Sequence, residues 1–464
     1  MSKIKNNNYK MKQKKICILI DNPSRDLQPL LLLALKLIDL DFSVYLVEQY
    51  NKKEIYLICP DIVILQTLRN PHLEILKNCK HSKIAVCILD SEGGYDSNRA
   101  MKAIIYEMKK NLKFVNLYFS WGKYHYFNFK KILRREEKKK LILSGSPKSD
   151  LLYFYRFFYK NIKKKYILIN TSFPLANPRF NSPKKEFISI KNQLRRFGKK
   201  SIENLFKDQV FLRKKFLELI NYLAKKFPKT KFVIRPHPFE DFMNYENNVS
   251  KYSNIEISKN KSLYINILES LGMIQFNCTT AFEYLAITKK KSIFPIFLKN
   301  NYKINKEMLA VSNIVDSLFK FEMKIRKLIT VKQKKERFLN LNFIENIFYK
   351  IDGCATDRIV NNISKIIVNK NDYKIKKNFY LFKNFKEFLY LFFYYLDINF
   401  FIKVRNFFIK KNREKELSLT IINELIKENQ VLLNKKKFNY TINRARVDFG
   451  MGFNKNIISF KISK

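Results

Sequence analysis

The sequence predicts an α/β protein of two consecutive, doubly wound Rossmann-like domains, followed by a basic, aromatic, α-rich C-terminal extension. Three observations predict it. Short apolar runs of strand character recur along most of the chain, separated by stretches with a helical apolar period. The runs are continuous rather than alternating, as expected for parallel strands covered on both faces. The series is interrupted once, at the basic aromatic connection "YFYRFFYKNIKKK" (153–165), and then begins again.

The first run, "ICILI" (16–20), stops at Asp21. Despite the basic residues ahead of it, it is too short for a secretion signal and is read as a buried first strand. "LQPLLLLALKLIDLD" (27–41) has the period of a helix. Strands are then predicted at "SVYLVE" (43–48), "IVILQ" (62–66), "KIAVCILD" (83–90), "LYFSWG" (117–122) and "LILSG" (141–145). After the connection come "YILIN" (166–170), "KFVIRPHP" (231–238), "IEIS" (255–258), "GMIQFN" (272–277) and "KSIFPIF" (291–297). The divisions are set at 1–155, 156–368 and 369–464. Two such domains are expected to face one another, with ligands in the cleft beyond the carboxyl ends of their strands.

The chain has 464 residues, 46% of them hydrophobic and 15% aromatic, enough for more than one core. Its net charge of +51 is carried by lysine over arginine at about four to one, which fits a lysine surface spread over the whole protein. No nucleic-acid-binding module is recognisable, and the aromatics lie mostly in apolar runs, so a nucleic-acid partner is not expected. The six cysteines, at 17, 59, 79, 87, 278 and 354, contain no C-x-x-C pair. Several sit inside apolar runs, which argues for a reduced, cytoplasmic protein without disulfides or zinc.

Three short stretches carry chemistry. In "RPHP" (235–238) a strand ends on Arg235, and proline on both sides of His237 fixes the backbone that presents the imidazole. In "FNCTTAFEYLA" (276–286) an apolar strand ends at Asn277, Thr279 or Thr280 is placed to cap a helix, and the turn can aim backbone N–H groups at an anion. These two point to a phosphate held between His237 and Thr279–Thr280, with Glu283 one turn on as a candidate for ribose hydroxyls. In "CILDSEGGYDSN" (87–98) a strand ends near Asp90, followed by Glu92 and the turn Gly93–Gly94. A carboxylate there can act as general base toward a hydroxyl; an ordinary acidic turn is the other reading. "NTSF" (170–173), with Thr171 and Ser172, lines a nucleotide site or is a plain polar loop.

Together, "SEGG" (91–94), "RPHP" and "CTTAFE" (278–283) resemble bacterial GT-B glycosyltransferases, among them the sialyltransferases and Kdo transferases, which use CMP-sugars. The bacterial surface carbohydrate biosynthesis protein family is similar over about residues 15–368. That likeness runs from "ILIDNPSRDLQPLLLLA" (18–34) and "LDSEGGYD" (89–96) through "LILSGSPKSDLLY" (141–153) and "ILINTSFPLANP" (167–178) to "FEYLA" (282–286) and "DGCATDRI" (352–359). The resemblance implies transfer of a sugar, sialic- or Kdo-like, from a nucleotide donor to a glycan or lipid-linked acceptor in surface polysaccharide assembly. It implies Glu92, with Asp90 as alternate, as base, His237 and Arg235 at the donor phosphate, and Thr279 and Thr280 holding it. The chain has Asp-Ser-Glu-Gly where the sialyltransferases have two adjacent acids before glycine, and Asn-Cys-Thr-Thr where Ser-Thr or Ser-Ser is usual.

No cofactor is expected beyond the nucleotide-sugar substrate, and no metal: the one D-x-D string, "DLD" (39–41), reads as a helix end. "FKEFLYLFFYYLDINFFIKVRNFFIKK" (385–411) is broken by Asp397 and Asn399, so it falls short of the ~20 apolar residues that span a bilayer. It reads as a helix lying on the cytoplasmic face of the inner membrane or packed on the core. Three other functions fit the sequence: a CDP-alditol glycerol- or ribitol-phosphate transferase, a non-catalytic nucleic-acid- or membrane-binding protein, and an inactive scaffold.

Overall fold

The computed structural model describes residues 13–69, 72–90, 98–159, 161–193, 199–259, 262–299, 304, 306–330, 342–366, 416–433, 440–448 and 454–463. The chain forms two compact units, Met1–Leu151 with Glu345–Lys464, and Leu152–Ile344. Each has its own parallel sheet, and the fold class is α/β with two Rossmann-like sheets.

The first sheet takes β1 (Lys15–Ile20), β2 (Ser43–Glu48), β3 (Ile62–Leu65), β4 (Ala85–Leu89), β5 (Leu117–Ser120) and β6 (Leu141–Leu143). They run parallel in the order β2-β1-β3-β4-β5-β6. Successive residues of β1 show why its sequence is apolar without alternation. Ile16, Ile18 and Ile20 face a core built with the helices Pro23–Asp39, Ala355–Ile363 and Leu419–Leu432, while Cys17 and Leu19 face a second core on the other side. Burying each such side chain stabilises by about 1.5–3 kcal/mol, so both faces favour apolar residues. Helix Pro23–Asp39 starts where Asn22 accepts the Ser24 amide at 3.1 Å and Pro23 supplies a preset φ.

The C-terminal extension is helical, as expected, and carries strands that were not foreseen. Its described part holds the helix Leu419–Leu432 and also a hairpin of β13 (Thr441–Asp448) and β14 (Asn454–Ser463), and β14 pairs antiparallel with β2. The hairpin covers the edge of β2, and two buried carboxylates hold the extension down: Glu48 accepts the Leu417 amide at 2.7 Å and Glu54 the Ser459 amide at 2.8 Å. Residues 345–366, expected in the second domain, pack on the first unit as well. A Cβ at Gly122 would overlap the backbone of Asn346 and Ile347, so this close approach needs glycine for room rather than for φ. Gly122→Ala is expected to destabilise the protein by about 1–3 kcal/mol in urea unfolding, because backbone cannot yield as a side chain can.

The second sheet takes β7 (Tyr166–Asn170), β8 (Phe232–Arg235), β9 (Ile255–Ile257), β10 (Ser270–Gln275), β11 (Ser292–Pro295) and β12 (Ser312–Val315). All pairs are parallel, in the order β9-β8-β7-β10-β11-β12. Renumbered from its first strand this is 3-2-1-4-5-6, the dinucleotide-binding order, with its reversal between β7 and β10. β12 has no counterpart in the sequence reading. Among the described residues no helix is long and apolar enough to cross a membrane. The aromatic stretch 385–411 lies outside the described residues.

Candidate functional site

In the second unit the polar groups gather at the reversal point. Register pairs Asn170 with Arg235 on one side and Gln275 on the other, so β8, β7 and β10 end in a row of three polar residues. Asn170 donates to Cys278 Sγ at 3.0 Å, and Gln275 Oε1 accepts the Cys278 amide at 2.9 Å. Asn277 turns the chain with φ 51°, a left-handed conformation that asparagine tolerates, and the helix Thr280–Thr288 then begins. Thr279 occupies the N-cap but makes no capping side-chain bond, unlike the expectation; its side chain is exposed, whereas Thr280 is buried and contacts Cys278 Sγ at 3.4 Å. The Cys278 thiol is pushed up by burial, so it stays protonated.

Arg235 is half-buried, and burial lowers its pKa, an effect that the nearby Glu283 carboxylate, Cys278 and Tyr264 only partly offset. A guanidinium remains charged under such a shift, so the site keeps a fixed positive charge at the end of β8. Glu283 itself is buried in the first turn of helix Thr280–Thr288. His237 is half-buried; its Nδ1 accepts the Phe239 amide at 3.2 Å, and its ring lies 5.6 Å from that of Phe239.

The loops after β7 and β8 are tied together by Glu240, which sequence reasoning missed. Its buried carboxylate accepts from Thr171 Oγ1, from the Phe173 amide and, at 2.9 Å, from Tyr245 Oη, while its amide donates to the His237 carbonyl at 2.8 Å. Thr171 therefore serves this tie, and Ser172 beside it is half-buried.

In the first unit Asp90 lies just past β4, buried, accepting from Tyr118 Oη at 3.2 Å with Arg69 Nη2 at 3.8 Å. It lines a pocket with Arg25, Gln66, Trp121, Ser146 and Lys148, at the carboxyl ends of the parallel strands. Glu92, Gly93 and Gly94 lie outside the described residues. Asp39 ends the helix Pro23–Asp39, and among the described residues no cluster of histidine, cysteine or carboxylate could hold a metal ion.

No family profile matches the chain, and neither does any curated protein. Solved structures with a similar outline include UDP-GlcNAc 2-epimerase from Neisseria meningitidis bound to UDP-GlcNAc, at 13% identity over 76% of this chain and 100% of that one, TM-score 0.45. UDP-GlcNAc 2-epimerase from Methanocaldococcus jannaschii with UDP-GlcNAc and UDP is similar at 14% identity over 75% and 99%, TM-score 0.43. The wall teichoic acid polymerase TagF with CDPG follows at 12% identity over 78% and 89%, TM-score 0.46. At such scores the likeness does not bear on activity.

Two stretches that carried the family resemblance meet in the first unit for a structural reason. Asp150 of "LILSGSPKSDLLY" accepts the Ala355 and Thr356 amides at 2.8 and 2.7 Å and Thr356 Oγ1 at 2.6 Å. Arg358 of "DGCATDRI" returns a bond from Nε to the Ser144 carbonyl at 2.7 Å. These residues join the helix Ala355–Ile363 to the turn after β6 and to the helix Pro147–Phe158.

Proposed function

We propose that the chain is a GT-B glycosyltransferase of surface glycan assembly, binding a nucleotide-sugar donor at the carboxyl ends of β7, β8 and β10. The observation that carries this reading is the in-register row Arg235–Asn170–Gln275 at the reversal point of a 3-2-1-4-5-6 sheet, beside a helix N-terminus. In this reading Arg235 and His237 face the donor phosphate, with Thr279 and Thr280 at its edge. Glu283 orients Arg235 or takes ribose hydroxyls. An acceptor hydroxyl oxygen attacks the anomeric carbon and its proton passes to Asp90 or Glu92. The bond from that carbon to the phosphate oxygen breaks, and its electron pair leaves on the phosphate, where Arg235 and His237 stabilise the charge. The nucleotide-sugar is the substrate, and no separate cofactor enters the scheme. The donor is a CMP-sugar in the first instance, with a CDP-alditol as the rival; the acceptor is a glycan or lipid-linked glycan at the cytoplasmic face of the membrane.

Calorimetric titration with CMP, CDP, UDP and GDP tests the reading. Binding of one nucleotide, weakened about tenfold in His237→Ala by loss of a charge-assisted hydrogen bond, is the expected result. Preference for UDP or GDP would replace the CMP donor, and binding unchanged in the variant, or absent for all four, would remove the phosphate site.

A further inference from the structure

Trp121 is the only tryptophan of the chain and is 7% exposed. Its indole stacks against Phe348, with centroids 6.2 Å apart and planes at 23°, and Lys148 Nζ lies 6.0 Å from the ring. With its faces used in this way, the indole is no stacking platform for a ligand. Its edge is the part still available: the buried Nε1–H has no acceptor among the described residues. A buried indole N–H ordinarily finds one.

Gln66, 2% exposed, stands in the same pocket. Its Nε2 donates to the Leu19 carbonyl, which can only accept, so the orientation of the amide is fixed. Oε1 therefore points the other way, and it has no donor among the described residues. Two residues lining the pocket thus carry one unmet donor and one unmet acceptor, both buried beneath its wall, and Asp90 lines it with them. Phosphate oxygens could use the donor and the Lys148 ammonium, but they would leave Gln66 Oε1 unmet and meet the Asp90 carboxylate, whose charge Arg69 offsets only in part at 3.8 Å. Arg25 is already engaged by Asp26 at 2.7 Å and Asp21 at 3.3 Å. Hydroxyl groups, which both donate and accept, fit all three groups.

We propose that this pocket is the acceptor subsite and takes a sugar, one hydroxyl accepting from Trp121 Nε1, one donating to Gln66 Oε1, and a neighbouring hydroxyl turned toward Asp90. The identity of the ligand as acceptor rests on the transferase reading above; the binding of sugar hydroxyls rests on the pocket alone.

Because Trp121 is the sole tryptophan, its emission in the full chain reports this pocket without interference from the nucleotide side. Titration with N-acetylglucosamine, N-acetylgalactosamine and galactose should give a saturable red shift with at least one, and inorganic phosphate and glycerol 3-phosphate should give none. Gln66→Met should bind that sugar about tenfold more weakly, the worth of one buried hydrogen bond. Trp121→Phe, read by calorimetry, should show a similar loss and carries the test should the Gln66 variant not fold. His237→Ala should keep the sugar response intact, so failure of the nucleotide site and failure of this pocket are read separately. No response to any of the three sugars, an equal response to phosphate, or wild-type sugar binding in both pocket variants would overturn the proposal.

Discussion

Asp150→Ala is expected to destabilise the first unit by about 3 kcal/mol, read as a lowered urea midpoint. The helix Ala355–Ile363 begins at Cys354, whose side chain makes no cap, so its first amides depend on a residue about two hundred positions earlier. Asp150 meets both amides and the Thr356 hydroxyl, and its removal leaves three buried donors unmet. Ile359, Val360 and Ile363 then lose their hold on the core that includes β1. Thr356→Val, which deletes only one of the three bonds, should cost about 1 kcal/mol. An equal loss in the two variants would mean that the carboxylate does not act as the helix cap.

The pH dependence gives a second reading of the same contact. Burial raises the Asp150 pKa, and its three hydrogen bonds only partly offset that. A carboxyl whose folded pKa exceeds the unfolded value of about 4 stabilises most below that value, and the contribution is lost as pH rises through the folded pKa. The stability advantage of wild type over Asp150→Asn should therefore be largest in acid and narrow as pH rises, since asparagine does not titrate.

The strands that sequence reasoning found and those it missed differ in what surrounds them. "ICILI" and "YILIN" are covered on both faces, and their composition shows it. "SNIV" on β12 is short, polar at its start and only partly buried, at the edge of its sheet. In β13 and β14 polar and apolar residues are mixed, as suits an edge hairpin wet on one side, and their pairing with β2 comes from the far end of the chain. Within the second unit, the position of Arg235 at a strand end, of His237 just past it and of Thr279 at a helix start was legible because these patterns are local. Gln275, Gln66 and Trp121 were not. Each sits inside or just after an apolar run, and what distinguishes it is a neighbour brought by another element: a strand for Gln275 and Gln66, helices for Trp121. Glu240 was hidden for the same reason: nothing in "HPFEDF" (237–242) shows that its carboxylate reaches back to Thr171.

Glu240→Leu is expected to destabilise the second unit by about 3–5 kcal/mol and to abolish whatever nucleotide binding the wild type shows. The carboxylate closes the loop after β7 onto the loop after β8, through Thr171 and Phe173 on one side and Tyr245 on the other. Leucine fills similar space but leaves those three donors buried and unmet, and the main-chain bond from residue 240 to the His237 carbonyl then holds the turn without the side-chain tie behind it. Glu240→Gln separates positioning from stability. It retains one acceptor oxygen, so it should fold with a smaller loss, yet its NH₂ group must face a donor. Burial also raises the Glu240 pKa, so by the same sign argument wild type should exceed Glu240→Gln most in acid, the gap closing as pH rises. If Glu240→Gln unfolds like wild type but binds nucleotide more weakly, Glu240 acts by positioning His237 and Thr171. If binding falls only in step with stability, the carboxylate is a structural tie alone, and the donor site must be sought in Arg235 and the helix Thr280–Thr288 without it.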